Sequence, residues 1–224
     1  MTEMSWSLIT IGHLSMNKYW GETERKRGPL CTSTLVRTPA GILLVDPPVA
    51  APQMAVLLND TAGIEPAGIK HVFLTHFHGD HRFGLDAFPH ASWWMGPEEI
   101  AFWKGKSAGE EASLLGKFRP AVGNFLPGID ALPSPGHTPG TTALVFRWRG
   151  VWVAITGDAV MTEDFFRATE GFHNSTDMEA ARATIRILAG RADIIVPGHG
   201  NAFLVALRPE GGNTWSGGRP EPGI

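Results

Sequence analysis

Cysteine is nearly absent from this 224-residue chain, with Cys31 the only one. That excludes an intramolecular disulfide framework and a cysteine-rich zinc site. Cys31 opens a strand-like run at 31–36, where a small buried residue is the expected role. Long apolar runs are also missing: no stretch of 18 or more apolar residues predicts a membrane span. The N-terminus carries no basic region followed by an apolar core, so no signal peptide is expected and the cytoplasm is the expected location. Charge of one sign is lacking too. Nineteen Lys and Arg against 22 Asp and Glu leave a net charge of −3, with no general pull toward nucleic acid or anionic membrane. The one basic run, Arg25-Lys26-Arg27, is short, precedes Gly28-Pro29 and reads as a solvated loop.

What the chain does have is apolar content, 43% of its residues, enough for a substantial core in one large domain or two small ones. It also has a dense cluster of metal-binding side chains. In Thr75-His76-Phe77-His78-Gly79-Asp80-His81, four potential ligands fall within six residues. They follow the apolar run 71–75, which predicts a buried strand whose exit loop fans His76, His78, Asp80 and His81 around one point. At this chain's His and Asp content, chance writes that pattern in roughly one chain of two thousand.

The surrounding pattern alternates strands and helices. Strands are predicted at 5–12, 30–37, 41–46, 70–75, 91–95 and 129–132, and a hairpin at 142–148 and 151–156. Helices are predicted at 51–59 and from Pro97 through Trp103. A further helix is predicted after the capping-box pattern Thr176-x-x-Glu179, stopping at Gly190. A last strand at 192–196 ends in Pro197-Gly198-His199-Gly200. Residues 105–127 read as a partly helical insertion that covers substrate. The expected organisation is one domain over 1–207 and a loosely ordered Gly/Pro-rich tail at 208–224. Two segments echo each other: Gly41 to Asp46 and Gly150 to Asp158 are each a glycine turn, an apolar strand and a terminal aspartate.

The polar residues placed directly after buried strands are His76, His78, Asp80, His81, His137, Asp158 and His199. Seven ligands exceed the four of one zinc ion and suit two ions sharing a carboxylate, in a cysteine-free site open to water. The expected ligand is a small-molecule substrate, with no nucleic-acid or membrane partner, for a monomer or homodimer.

These motifs resemble the set found in metallo-β-lactamase-fold hydrolases. The resemblance rests on His76-x-His78-x-Asp80-His81, on His137 in Ser-Pro-Gly-His-Thr-Pro-Gly, on Asp158 in Thr-Gly-Asp and on His199 in Pro-Gly-His-Gly, in that order over roughly residues 7–206. It implies an α/β architecture, an αββα sandwich of two mixed β-sheets flanked by helices. It implies that His76, His78 and His137 hold one metal, that Asp80, His81 and His199 hold another, and that Asp158 bridges them. Zinc is the implied metal, two ions per chain, with iron or manganese as alternatives. Asp80 and Asp158 are the implied catalytic residues, in a hydrolase that uses a metal-bridging hydroxide on an ester, thioester, lactone or phosphodiester.

Asp46 resembles the superfamily's first acid, which supports a ligand; with His71 and Thr138 it is a candidate partner for the ligating histidines. Among branches, the chain is similar to small metallo-β-lactamase domain-containing proteins and more weakly to acyl-homoserine lactonases and glyoxalase II. Met161 stands where those lactonases tend to place a tyrosine. Two other readings remain open: a mononuclear iron oxygenase of the persulfide dioxygenase kind, and a metal-binding module without turnover. Trp93, Trp94, Phe102 and Trp103 are candidate pocket aromatics, with core packing expected for Trp94 and Phe102. His173 and Asn174 are candidates for the site's mouth, and His90 for plain surface.

Overall fold

A computed structural model describes residues 4–205. The predicted tail at 208–224 lies outside the described residues. Two six-stranded sheets face each other with helices outside them. The first sheet holds β1 (Ser5–Thr10), β2 (Ser33–Thr38), β3 (Gly41–Val45), β4 (Ile69–Leu74), β5 (Ser92–Met95) and β6 (Arg119–Pro120), side by side in that order. The second holds β7 (Gly123–Leu126), β8 (Ile129–Pro133), β9 (Thr142–Trp148), β10 (Val151–Gly157), β11 (Ile194–Pro197) and β12 (Phe203–Leu204). Both sheets are mixed. β3 runs parallel to β4 and antiparallel to β2, while β10 runs parallel to β11 and antiparallel to β9.

The continuous apolar runs explain the layering. β3, β4, β10 and β11 are covered on both faces, as the parallel pairing of a helix-flanked sheet requires. One set of their side chains forms the core between the sheets: Val36, Leu43, Val45 and Phe73 meet Leu144, Phe146, Val153 and Val196. The alternate set faces outward. Leu35, Leu44, Val72 and Leu74 pack under α1 (Ala51–Ala62) and α3 (Pro97–Lys104), through Met54, Leu58 and Ile100. Val145, Ala154 and Ile195 pack under α5 (Glu163–Arg167) and α6 (Met178–Arg191), through Phe166, Ile185 and Leu188. The remaining two helices are short, α2 (Gly79–Arg82) and α4 (Gly109–Leu115).

Several expectations shift. The cap of α6 is Asp177, whose carboxylate accepts the Ala180 N–H at 2.9 Å; Thr176 instead donates its hydroxyl to the Gly136 carbonyl. α6 runs past Gly190 to Arg191. Residues 105–127, read as a cover over the substrate, are mostly exposed, with Glu111 paired to Arg82 of the ligand loop and a few side chains anchored below. Leu115 and Phe118 are buried in the first outer core, and the chain then leaves one sheet at β6 and enters the other at β7. The periodic signal was weak there because α4 is short and its apolar residues, Leu114 and Leu115, come only at its end. Of the four aromatics, Trp93 is the buried one, against Phe118; Trp94 is half-buried in the inter-sheet core. Phe102, expected in the core, is half-exposed with the Lys106 ammonium 3.9 Å above its ring.

Candidate metal centre

All seven candidate ligands arrive at one edge of the sandwich, from loops that follow β4, β8, β10 and β11. Their donor atoms fall into two groups, each spanning no more than 4.8 Å: His76, His78, His137 and Asp158, and then Asp80, His81 and His199. In the first, His78 Nδ1 lies 3.0 Å from His76 Nε2 and 2.9 Å from His137 Nε2. In the second, His199 Nε2 lies 3.6 Å from Asp80 Oδ2.

Asp158 stands between the groups. Its Oδ2 faces His137 Nε2 at 3.2 Å and His76 Nε2 at 3.7 Å. Its Oδ1 faces His81 Nε2 at 3.1 Å and His199 Nε2 at 3.4 Å. One carboxylate oxygen thus serves each group. The turn after β11 makes room for it: a Cβ on Gly198 would sit 2.0 Å from Asp158 Oδ1.

Neighbouring hydrogen bonds set which imidazole nitrogen points inward. His81 donates Nδ1–H to Asp46 Oδ2 at 3.0 Å, and His199 donates Nδ1–H to the Leu30 carbonyl at 2.8 Å, with the His13 carbonyl at 3.2 Å. Thr75 donates its hydroxyl to Asp46 Oδ2 at 2.7 Å, which leaves its oxygen to receive His76 Nδ1–H at 3.2 Å. In each case Nε2 is the nitrogen turned to the centre, the outer-partner arrangement of metal-ligating histidines. Asp46 is fixed by the Thr75 N–H at 2.8 Å and takes a left-handed φ of +51°, strain that its three donors hold in place.

The expected partner roles separate. Asp46 supports His81 directly and His76 through Thr75. Thr138 contacts no ligand side chain; it donates to Glu99 Oε2 at 2.6 Å. His71 points away, with Nε2 on the Ala40 carbonyl and Nδ1 receiving Trp94 Nε1–H. It lies lower on β4, two pleats before the ligand loop, so its ring reaches the far end of β3 instead. Trp103 stands edge-on to His78, ring centroids 5.9 Å apart. His173 and Asn174 are exposed on a loop tied to the His137 carbonyl by the Thr176 N–H, and His90 is exposed. Glu99 was missed, as were the His13 and Leu30 carbonyls; backbone acceptors leave no trace in residue type.

The residues fit a metal. Converging imidazole lone pairs at about 3 Å repel unless a proton or a cation lies among them, and a tetrahedral ion with metal–nitrogen bonds of about 2.1 Å would space its ligands by about 3.4 Å. Burial, reinforced by neighbouring histidines, holds the pKa of His76 and His78 below the ordinary range and takes His137 down to about 4. Those three are unprotonated near neutrality. His81 Nε2 and Asp158 Oδ1 are buried without a hydrogen-bond partner, a cost that a cation would remove. Imidazole and carboxylate without thiolate suit zinc, iron or manganese.

With that geometry established, comparison with known proteins is decisive for the family. The sequence model of the Metallo-beta-lactamase superfamily matches residues 27–199. The chain belongs to the metallo-beta-lactamase superfamily. Within it, the chain is 30% identical over 172 residues to the thioesterase pkgB of Emericella nidulans, covering 76% of this chain and 46% of that protein. It is 30% identical over 176 residues to a hydroxyacylglutathione hydrolase of Anaeromyxobacter dehalogenans, covering 75% of this chain and 62% of the relative. It therefore spans less than two thirds of either curated relative. Among solved structures, AidC, a dizinc quorum-quenching lactonase, superposes with a TM-score of 0.63 at 21% identity, over 75% of this chain and 72% of AidC. That likeness is one of fold. Among the described residues, no helix is long and apolar enough to cross a membrane.

Proposed function

We propose that the chain is a dinuclear zinc-dependent hydrolase of acyl thioesters or related esters. The observation that carries this reading is Asp158, with one carboxylate oxygen turned to each group of ligands. When bound, a pair of metal ions supplies water activated near neutral pH and a Lewis acid for the substrate's carbonyl oxygen. His76, His78 and His137 would hold one ion and Asp80, His81 and His199 the other. A complete second group favours two ions over the single iron of the oxygenase alternative.

The chain's own groups divide the remaining work. The Asp80 side chain keeps 26% of its exposure, whereas Asp158 keeps 5%. Asp80 can therefore exchange a proton with solvent, and it is the carboxylate suited to take the proton of the attacking water at an Oδ atom and pass it to the leaving sulfur or oxygen. Asp158 is too enclosed for that and serves as a fixed ligand. Trp103, edge-on to His78, offers an apolar wall for an acyl chain. Thioesters are favoured because the names of two of the relatives denote them, one a thioesterase and the other acting on an acylated glutathione. Met161 is buried against Leu14 and Phe165, so that position brings no hydroxyl to the site.

The test is a panel of acyl thioesters, lactones and an activated phosphodiester, assayed on the zinc-loaded protein, after chelation and after zinc return. The expected result is thioester turnover that chelation abolishes and zinc restores. Lactone or phosphodiester turnover without thioester turnover would reassign the substrate. Oxygen uptake with a persulfide by an iron-loaded form would replace the hydrolase with the oxygenase.

A further inference from the structure

Glu99 is fully buried near the start of α3, with three neutral donors around it. Its Oε1 accepts the Phe77 N–H at 2.9 Å and the Trp103 Nε1–H at 2.7 Å; its Oε2 accepts the Thr138 hydroxyl at 2.6 Å. Phe77 lies between His76 and His78, Thr138 directly follows His137, and Trp103 stands against the His78 ring. The turn that carries His137 is pressed onto the same helix start: a Cβ on Gly140 would lie 2.0 Å from the Glu99 nitrogen. One carboxylate thus joins the two loops that supply the three-histidine group, and it touches neither Asp80, His81 nor His199.

We propose that Glu99 is a positioning residue for the three-histidine group, holding His78 and His137 at the spacing one metal ion needs. Asp46 does the corresponding work under His81. A carboxylate with no cationic partner is costly to bury, and it is retained where its acceptor geometry fixes several donors at once. No shorter or neutral side chain could accept three such bonds in this place. This inference rests on the reading of the site as a two-metal centre.

The experiment is competition of zinc against a fluorescent chelator, resolving two dissociation constants, on wild type, Glu99→Ala, Glu99→Gln and Thr138→Val. His78→Ala and His199→Ala identify which constant belongs to which group, and thermal melts of the metal-free forms report folding. Glu99→Ala should weaken the ion that His78→Ala loses by about 10- to 100-fold and leave the other unchanged. Glu99→Gln should recover most of that loss, since its carbonyl can still accept from Phe77 and Trp103 while its amide donates to Thr138. Thr138→Val removes the bond to Glu99, along with the hydroxyl's contact to Thr141, at nearly constant shape and should weaken the same ion less. If Glu99→Ala does not fold, Thr138→Val decides. Both constants unchanged in a folded variant, or both weakened alike, would overturn the positioning role while the two-metal reading stands on the wild type. A wild type that binds no zinc would remove both.

Discussion

β3 and β10 are the same construction used twice. Each follows a glycine turn from an antiparallel partner, runs beside a parallel strand reached through helix, and ends in an aspartate, Asp46 or Asp158. The two carboxylates end in opposite situations. Asp46 is surrounded by donors: the Thr75 N–H, the Thr75 hydroxyl and His81 Nδ1–H. Asp158 is surrounded by imidazole Nε2 atoms, and its Oδ1 has no hydrogen-bond partner. A carboxylate saturated by fixed donors can only brace its neighbours, whereas one ringed by inward-turned imidazole Nε2 atoms is placed to share a cation with them. The neighbours, more than the strand that carries it, decide what a terminal aspartate does.

The largest effect expected from breaking this comparison is at Asp158. Asp158→Ala should lower turnover well beyond the roughly 100-fold typical of losing an outer partner, with the metal-free fold kept. A folded variant with wild-type kcat would remove Asp158 from the chemistry. Asp46→Ala should be smaller in activity and larger in stability. It should weaken metal by about 10- to 100-fold, and it should cost the metal-free protein about 1–3 kcal/mol by stranding the buried Thr75 N–H. Denaturant melts and chelator competition read the two separately; equal metal loss in both variants would erase the distinction between ligand and brace.

Acidity sharpens the same contrast without a mutation. In the metal-free protein, burial depresses His76 and His78, and takes His137 down to about 4. Unfolding returns each to the ordinary value, so the unfolded chain binds more protons between about 4 and 6.5 and stability falls as pH drops through that window. His81 and His199 shift upward. Burial opposes this, but the carboxylates Asp158 and Asp46 around His81 outweigh it, as Asp158 and Asp80 do around His199; Cys31 beside His81 is a neutral thiol, its own pKa pushed up to about 12. Their contribution is complete below about 6.5 and is lost as pH rises through their folded values. The metal-free protein should therefore be most stable near pH 6.5. Metal needs unprotonated imidazoles, so loading should move the optimum upward. Melts of both forms across the pH range check this; coincident optima would contradict it. The smallest effect lies at the start of α6: Asp177→Ala should cost about 1 kcal/mol, with metal content untouched.

Much of this is legible in the sequence. The ligand loop is contiguous, so His76, His78, Asp80 and His81 announce themselves by spacing alone. The apolar runs of β3, β4, β10 and β11 are long enough to be read as buried strands. Glu99 was not legible, because its partners Phe77 and Thr138 lie 22 and 39 residues away and nothing local distinguishes it from a helix-start acid such as Glu98. Residues 105–127 are legible as an insertion between two ligand segments, but not as the place where the chain crosses from one sheet to the other, because β6 and β7 are too short to give a periodic signal. At α6 the capping-box pattern was off by one residue: Asp177, inside that pattern, had the better acceptor for the first turn.

The most direct test of the central claim is metal content by inductively coupled plasma mass spectrometry, on wild type and Asp158→Ala purified without chelator. The account predicts about two zinc per wild-type chain and at most about one in the variant. A single iron per wild-type chain, or two zinc retained in Asp158→Ala, would contradict a centre built on one shared carboxylate.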